Sequence, residues 1–238
     1  MNLTILHLYP KEMNLYGDHG NVLVLKRRCE WRGIKVNIIE HNIGDELPAK
    51  CDIIFGGGGQ DSGQQRIAED LRNNGKALKA WAEDGMPTLL VCGIYQLFGN
   101  FFKMQDGVTI EGISVLDIET EAGDKRLIGN IVIESGKFGD IVGYENHSGL
   151  TELGNDIKPL GKVTRGYGNN GSDGAEGVFY KNTIGTYMHG PLLPKNPRIA
   201  DFLIKTALER KYGAQKDFEK LPDKLEQKAR KIAMERPR

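Results

Sequence analysis

Apolar and polar positions alternate over residues 3–8, the period of a β-strand. Over residues 21–31 the period becomes helical, with Val22, Leu25 and Cys29 on one stripe and Asn21 placed to cap the start. Gly33 ends that helix, and residues 34–40 read as a second strand. A strand, a helix and a strand in that order imply a right-handed crossover and a parallel sheet. After a polar loop, a third strand over residues 51–55 runs into four consecutive glycines, Gly56 to Gly59. A long helix over 65–83 returns the chain to an apolar strand, 88–91, which stops at Cys92. Gly93 follows, and apolar residues resume at helical spacing.

Beyond Phe102 the pattern changes to short β-rich segments separated by turns, at 113–119, 127–134, 141–145, 159–164 and 177–180. The glycine-rich stretch 165–174 predicts a mobile loop. A last strand over 183–188 ends at His189, and helices are predicted over 198–212 and 217–236. The second of these is mostly charged, with a thin apolar stripe of Leu221, Leu225, Ala229 and Ile232. The expected fold is therefore α/β: three layers, a mostly parallel sheet flanked by helices, with an antiparallel β extension and C-terminal helices. The pattern divides the chain into a main domain, 1–212, and a charged helical extension, 213–238.

Charge narrows the partners. Lys plus Arg equals Asp plus Glu at 32 each, so no net field draws the chain to nucleic acid or to a membrane surface. Small molecules and protein partners are the expected ligands. The first ten residues lack the features of a signal peptide, and no apolar stretch approaches the length of a bilayer span, so a cytoplasmic protein without a transmembrane segment is expected. The three cysteines, Cys29, Cys51 and Cys92, are odd in number and far apart, which fits neither a disulfide framework nor a metal site. Cys29 and Cys51 read as structural.

Cys92 differs from them because it stands at a strand-to-helix turn. Backbone N–H groups at a helix start favour a thiolate. Gly93 can take the tight turn and offer its N–H to an oxyanion beside the sulfur. Gln96, four residues on, shares the face of Cys92 and can touch a substrate held there. The glycine run is not a phosphate loop, since no Gly-Lys-Ser/Thr follows. It lies at the carboxyl end of a parallel strand, as Cys92 does, and ligands bind along that edge in open α/β sheets. His189, at the end of a late strand, is placed as a general base would be.

With these residues in hand, the chain resembles a class I glutamine amidotransferase. Cys92-Gly-Ile-Tyr-Gln96 and Gly143-Tyr-Glu-Asn-His-Ser-Gly149 are similar to motifs of the CobB/CobQ-like branch, the branch that serves cobyric acid synthesis. Leu15-Tyr-Gly-Asp-His-Gly-Asn21, the run from Gly56 to Asp61 and Arg126-Leu-Ile-Gly129 are similar to GatD, the glutaminase subunits of lipid II isoglutaminyl synthases. The resemblance implies that Cys92 attacks the side-chain amide of L-glutamine and that His189 moves the proton. It implies that the N–H groups of Gly93 and of Gly57 or Gly58 hold the oxyanion, and that Arg126 grips the substrate α-carboxylate. Class I triads usually carry a glutamate two residues past the histidine, where this chain has Pro191. The orienting carboxylate is accordingly expected to be absent or to come from a partner, with Glu145 as an internal alternative.

No cofactor or metal is expected on this chain. ATP and Mg are expected on a second polypeptide, which the resemblance implies is a MurT-like Mur ligase subunit, in a heterodimer acting on lipid II. The alternatives are the glutaminase part of a cobyrinate-type amidotransferase, a cysteine hydrolase of related fold and a non-catalytic binding protein.

Overall fold

The computed structural model describes residues 1–214 and 218–236. The chain runs β1 (Asn2–Leu8), α1 (His19–Glu30), β2 (Lys35–His41), β3 (Ile53–Gly56), α2 (Asp61–Glu83), β4 (Thr88–Val91) and a single-turn α3 (Gly93–Leu97). It continues through β5 (Phe101–Lys103), β6 (Thr109–Glu111), β7 (Ile118–Ser135), β8 (Gly139–Leu153), β9 (Gly161–Arg165), β10 (Ala175–Glu176), β11 (Val178–Tyr180), β12 (Thr183–Thr186) and β13 (Met188–His189). A 3-10 turn, Leu193–Lys195, leads to α4 (Pro197–Tyr212) and α5 (Lys224–Glu235). The fold is α/β, as expected.

The main sheet has the order β11-β12-β4-β3-β1-β2, parallel except for the β11–β12 pair. Its central strands β3 and β4 are buried at every position, which is why both read as unbroken apolar runs rather than as alternations. The helical stripe expected on α1 faces inward, with Val22, Leu25 and Cys29 fully buried. Cys29 and Cys51 lie in this core, and burial pushes each thiol up to about 12, which suits packing rather than chemistry.

The β extension is a second sheet dominated by one long hairpin, β7–β8. The short segments expected at 127–134 and 141–145 fall within it, whereas the one expected at 113–119 reaches it only with its last two residues. The sequence pattern hid the continuity because one face of β7 is exposed at Glu119 and Glu121 and the strand is irregular over 123–126, so polar residues interrupt the apolar run. The last strand also differs from expectation. The extended chain leaves the main sheet at Thr186 and joins the second at Met188, where His189 pairs with Tyr144. His189 therefore sits on the crossing between the two sheets.

Asn21 does not cap α1: the helix begins at His19, behind Asp18. Asn21 lies buried within the first turn, where its Oδ1 accepts the N–H of Leu193 at 2.9 Å. The C-terminal helix was expected over 217–236; residues 215–217 lie outside the described residues, and α5 begins at Lys224. A buried arginine ties this segment to the body. Arg28 on α1 donates to both carboxylate oxygens of Asp201 at 2.8 Å and to Asp223, ahead of α5, at 2.6 Å. Arg28→Met should lower the unfolding free energy by about 2 kcal/mol, less than for a fully buried pair because both aspartates keep some contact with water. Urea denaturation of the variant beside the wild type measures this.

Candidate active site

Strand register brings the site together before any side chain is considered. Val91 pairs with Thr186, Leu90 with Gly56, and Gly56 with Leu8. Four segments therefore leave the sheet side by side at its carboxyl edge: Cys92 after β4, His189 after β12, the glycine run after β3 and the loop 9–18 after β1.

Cys92 has φ 51° and ψ −108°, a conformation that side chains rarely adopt. The strained turn holds the thiol away from the sheet, as nucleophile elbows do. The helix behind it, α3, has only five residues, so its dipole contributes little. The nearby cation is His189, 1% exposed. Burial pushes this imidazole down, but the charge and hydrogen bonding of Cys92 and Asp18 outweigh burial and raise it to about 10.

Asp18 was missing from the sequence reading. Both its carboxylate oxygens lie 3.4 Å from His189 Nδ1, and the residue is fully buried. The orienting carboxylate is thus present in this chain and comes from the loop before α1. Glu145, the internal alternative, accepts the N–H groups of Tyr167 and Gly168 and so braces the loop 166–174. Asp18 stands inside the Leu15–Asn21 motif, but nothing there distinguishes its carboxylate from its polar neighbours, apart from its place in a loop after β1 on the same sheet edge as Cys92. Pro191, where the usual glutamate would stand, packs against Gly20, where even a methyl group would collide with the proline ring.

Gly58 shows how closely the three groups converge. A methyl group placed on it would lie 2.6 Å from His189 Cε1, 3.1 Å from Cys92 Cβ and 3.2 Å from Asp18 Oδ2. Its N–H donates to Asp18 at 2.8 Å. That corrects one expectation, because an N–H spent on Asp18 is not the one that holds an oxyanion. The structure assigns Gly58 to positioning Asp18 instead. Gly58→Ala should cut turnover at least about tenfold while leaving thermal unfolding within a few degrees, because any relief of the contact moves a catalytic group. Steady-state rates and a melting curve of the same sample check both halves.

The cavity beside Cys92 encloses about 510 Å³ and is lined by Cys92, Gln96, Arg126, His147 and Tyr16, among others. Gln96 lies at its buried base. Gln64 donates to its Oε1 at 2.7 Å, and its own Nε2 donates to Tyr187 Oη at 3.0 Å, which fixes the orientation of the amide. Gln64 is a second residue the sequence reading missed. Arg126 reaches the cavity because β7 is irregular between Ala122 and Leu127. Residues 123–126 bulge there and aim an exposed guanidinium at the mouth. Burial pushes the His147 imidazole down to about 3, so it is neutral, and its Nδ1–H donates to Gly149 O at 2.7 Å. Gly93 stands where expected, at the start of α3 directly after the thiol. Gly57 packs tightly on Met13 and Asp18. Among the described residues no His, Cys, Asp and Glu cluster could hold a metal ion.

A buried thiol, a cationic imidazole held by a carboxylate, and an arginine across a cavity are the parts needed for acyl transfer from a small substrate that carries an anionic group. Comparison with known proteins agrees with this chemistry. The CobB/CobQ-like glutamine amidotransferase domain matches residues 4–197. The subunit GatD of the glutamine-hydrolysing lipid II isoglutaminyl synthase of Staphylococcus aureus is 45% identical over 235 residues, 98% of this chain and 96% of that protein. The corresponding subunit of Streptococcus pneumoniae is 41% identical over 89% of this chain and 82% of that one. A probable cobyric acid synthase of Methanothermobacter thermautotrophicus is 33% identical over 44% of this chain and 23% of its own length. Among solved structures, a glutamine amidotransferase superposes with a TM-score of 0.59 at 15% identity, covering 85% of this chain and 98% of that one. PurLQS of Thermotoga maritima gives 0.57 at 15% identity, covering 89% and 99%. At that identity the likeness is one of fold.

Proposed function

Because the chain belongs to the CobB/CobQ-like glutamine amidotransferase domain family, we propose that Cys92, His189 and Asp18 are the triad with which it hydrolyses L-glutamine for a synthetase subunit. The convergence of the three groups around Gly58 carries this reading. His189, raised to about 10, takes the thiol proton of Cys92 and carries it at neutral pH. The sulfur attacks the side-chain amide carbon of glutamine. The carbonyl oxygen becomes an oxyanion, taken by the N–H of Gly93 together with the glycine run, of which Gly57 remains the partner from the original pair. His189 then gives its proton to the amide nitrogen, the C–N bond breaks, and ammonia leaves a thioester.

The thioester carries no charge on sulfur. The main support for a protonated His189 disappears with it, the imidazole becomes a base, and it takes a proton from the attacking water. A second tetrahedral intermediate collapses to glutamate and the Cys92 thiolate, with His189 protonated again. Arg126 binds the substrate α-carboxylate through a planar pair of donors, and Gln96 orients the substrate from the buried side.

The likeness to the two isoglutaminyl synthase subunits runs nearly the full length of the chain, whereas that to the cobyric acid synthase covers less than half. We therefore favour a MurT-like Mur ligase partner in a heterodimer. It would activate the D-glutamate α-carboxylate of the lipid II stem peptide with ATP and Mg, and ammonia from this chain would convert it to D-isoglutamine in peptidoglycan biosynthesis. This chain needs no cofactor of its own for that division of labour. Among the described residues no helix is long and apolar enough to cross a membrane, and the work proposed for it belongs in the cytoplasm.

The test is release of ammonia and glutamate from L-glutamine, by the chain alone and with a co-expressed Mur-ligase-like subunit, then with lipid II and ATP. Amidated lipid II supports the whole reading. Glutamine hydrolysis without lipid II amidation removes the acceptor, and cleavage of small peptides in place of glutamine favours a cysteine hydrolase.

A further inference from the structure

The loop between β1 and α1 brings a second side chain to the site besides Asp18. Tyr16 packs its ring on the ring of His189, with centroids 4.3 Å apart and planes inclined by 49°. Asp18, two residues on, holds Nδ1 of the same imidazole, so one short loop restrains the base at its edge and over its face. The Tyr16 hydroxyl accepts a hydrogen bond from Arg126 Nη2 at 3.2 Å, and the residue lines the cavity together with Cys92. Tyr16 thus touches both the base and the arginine.

The state of that arginine makes the contact consequential. Nε and Nη2 donate to Asn146 Oδ1 at 3.0 and 2.9 Å, and Nη2 also donates to Asn146 O at 3.1 Å. With Tyr16, three acceptors share the two hydrogens of Nη2. A carboxylate docking on Nη1 and Nη2 competes for one of them, and it prevails over a neutral phenol because its hydrogen bond is charge-assisted. A phenol is also a donor. Once the carboxylate has taken the Nη2 hydrogen, the Tyr16 O–H can turn to donate to the same carboxylate. The ring is then fixed between the substrate and His189.

From this geometry we propose that Tyr16 is a positioning residue through which the substrate α-carboxylate, bound at Arg126, fixes the ring of His189 for proton transfer. The proposal rests on the glutaminase reading of the site and adds a coupling to it. Its consequence is selectivity expressed in turnover as well as in binding: an amide without the carboxylate leaves the base less well held. Part of the binding energy at Arg126 is then realised only in the transition state.

The test is a double-variant cycle on kcat and KM for L-glutamine, with Tyr16→Phe, Arg126→Lys and the pair, on the purified chain alone and with the synthetase subunit. Tyr16→Phe keeps the ring and removes only the hydroxyl, so folding is preserved, and a melting curve confirms it. We expect kcat to fall about tenfold in Tyr16→Phe with KM changed less than about threefold. The pair should lose little more than Arg126→Lys alone, because both act through one interaction. Wild-type kcat in Tyr16→Phe overturns the proposal, and so does a pair whose loss is the product of the single losses. A wild-type chain that hydrolyses no glutamine in either setting overturns instead the glutaminase reading on which the proposal rests.

Discussion

Replacing Cys92 by alanine should abolish ammonia release from L-glutamine, a loss on the order of 10⁴-fold or more, because no other group can form the acyl intermediate. Cys29 and Cys51 cannot substitute, since burial raises each thiol to about 12 and both sit in the core away from the cavity. The variant should fold: alanine is smaller, and the backbone conformation at the elbow is imposed by β4 and α3 on either side. It should also change the base. Without the thiolate, His189 loses the charge that does most to raise it, so its imidazole should titrate at clearly lower pH in Cys92→Ala. An NMR titration of His189 in the two proteins reads this directly. A Cys92→Ala chain that still hydrolyses glutamine would mean that the elbow is not the nucleophile.

Asp18→Asn should lower kcat by about 10²- to 10³-fold with a smaller effect on KM, as loss of an orienting carboxylate behind a catalytic histidine does. The expected cause is specific. The amide of the variant still offers one oxygen, but that oxygen must choose between the Gly58 N–H and His189 Nδ1, both of which the Asp18 carboxylate serves now. The substitution also removes a negative charge that favours imidazolium.

The sign of the pH effect follows. In the folded chain His189 is raised above 6.5, to about 10. The stability contributed by its ion pairs is fully present below its unfolded value and is lost as pH rises through the folded value. Without Asp18 the folded value falls, so both that stability and the alkaline limb of activity should retreat to lower pH. Rates and melting temperatures measured from neutral to alkaline pH for wild type and Asp18→Asn test it. An unchanged alkaline limb would show that Asp18 only shapes the loop.

The difference between Cys92 and Asp18 in legibility has a physical origin. Cys92 directly follows one strand of the parallel sheet and His189 comes three residues after another, and a strand of known direction in a parallel sheet announces which edge the chain reaches at its end. Asp18 lies ten residues beyond the end of β1, in a polar loop whose path no periodicity constrains. Its meaning depends on Gly58 and His189, residues far away in sequence. Glu145 and Asp18 both sit in motifs of the resemblance, and only the structure separates them, because the Glu145 carboxylate is occupied by the loop it braces. Arg126 gained significance only by resemblance, since the sequence does not show that β7 bulges there or that the bulge faces the thiol.

By itself the sequence determined the α/β class, the parallel character of its first half, the position of Cys92 directly after a strand and the inward stripe of α1, because period and direction are local properties of the chain. Only the tertiary structure decided which carboxylate holds His189, which glycine N–H is already spent and which residues touch Arg126. Those are contacts between loops, and a loop takes its conformation from what it packs against.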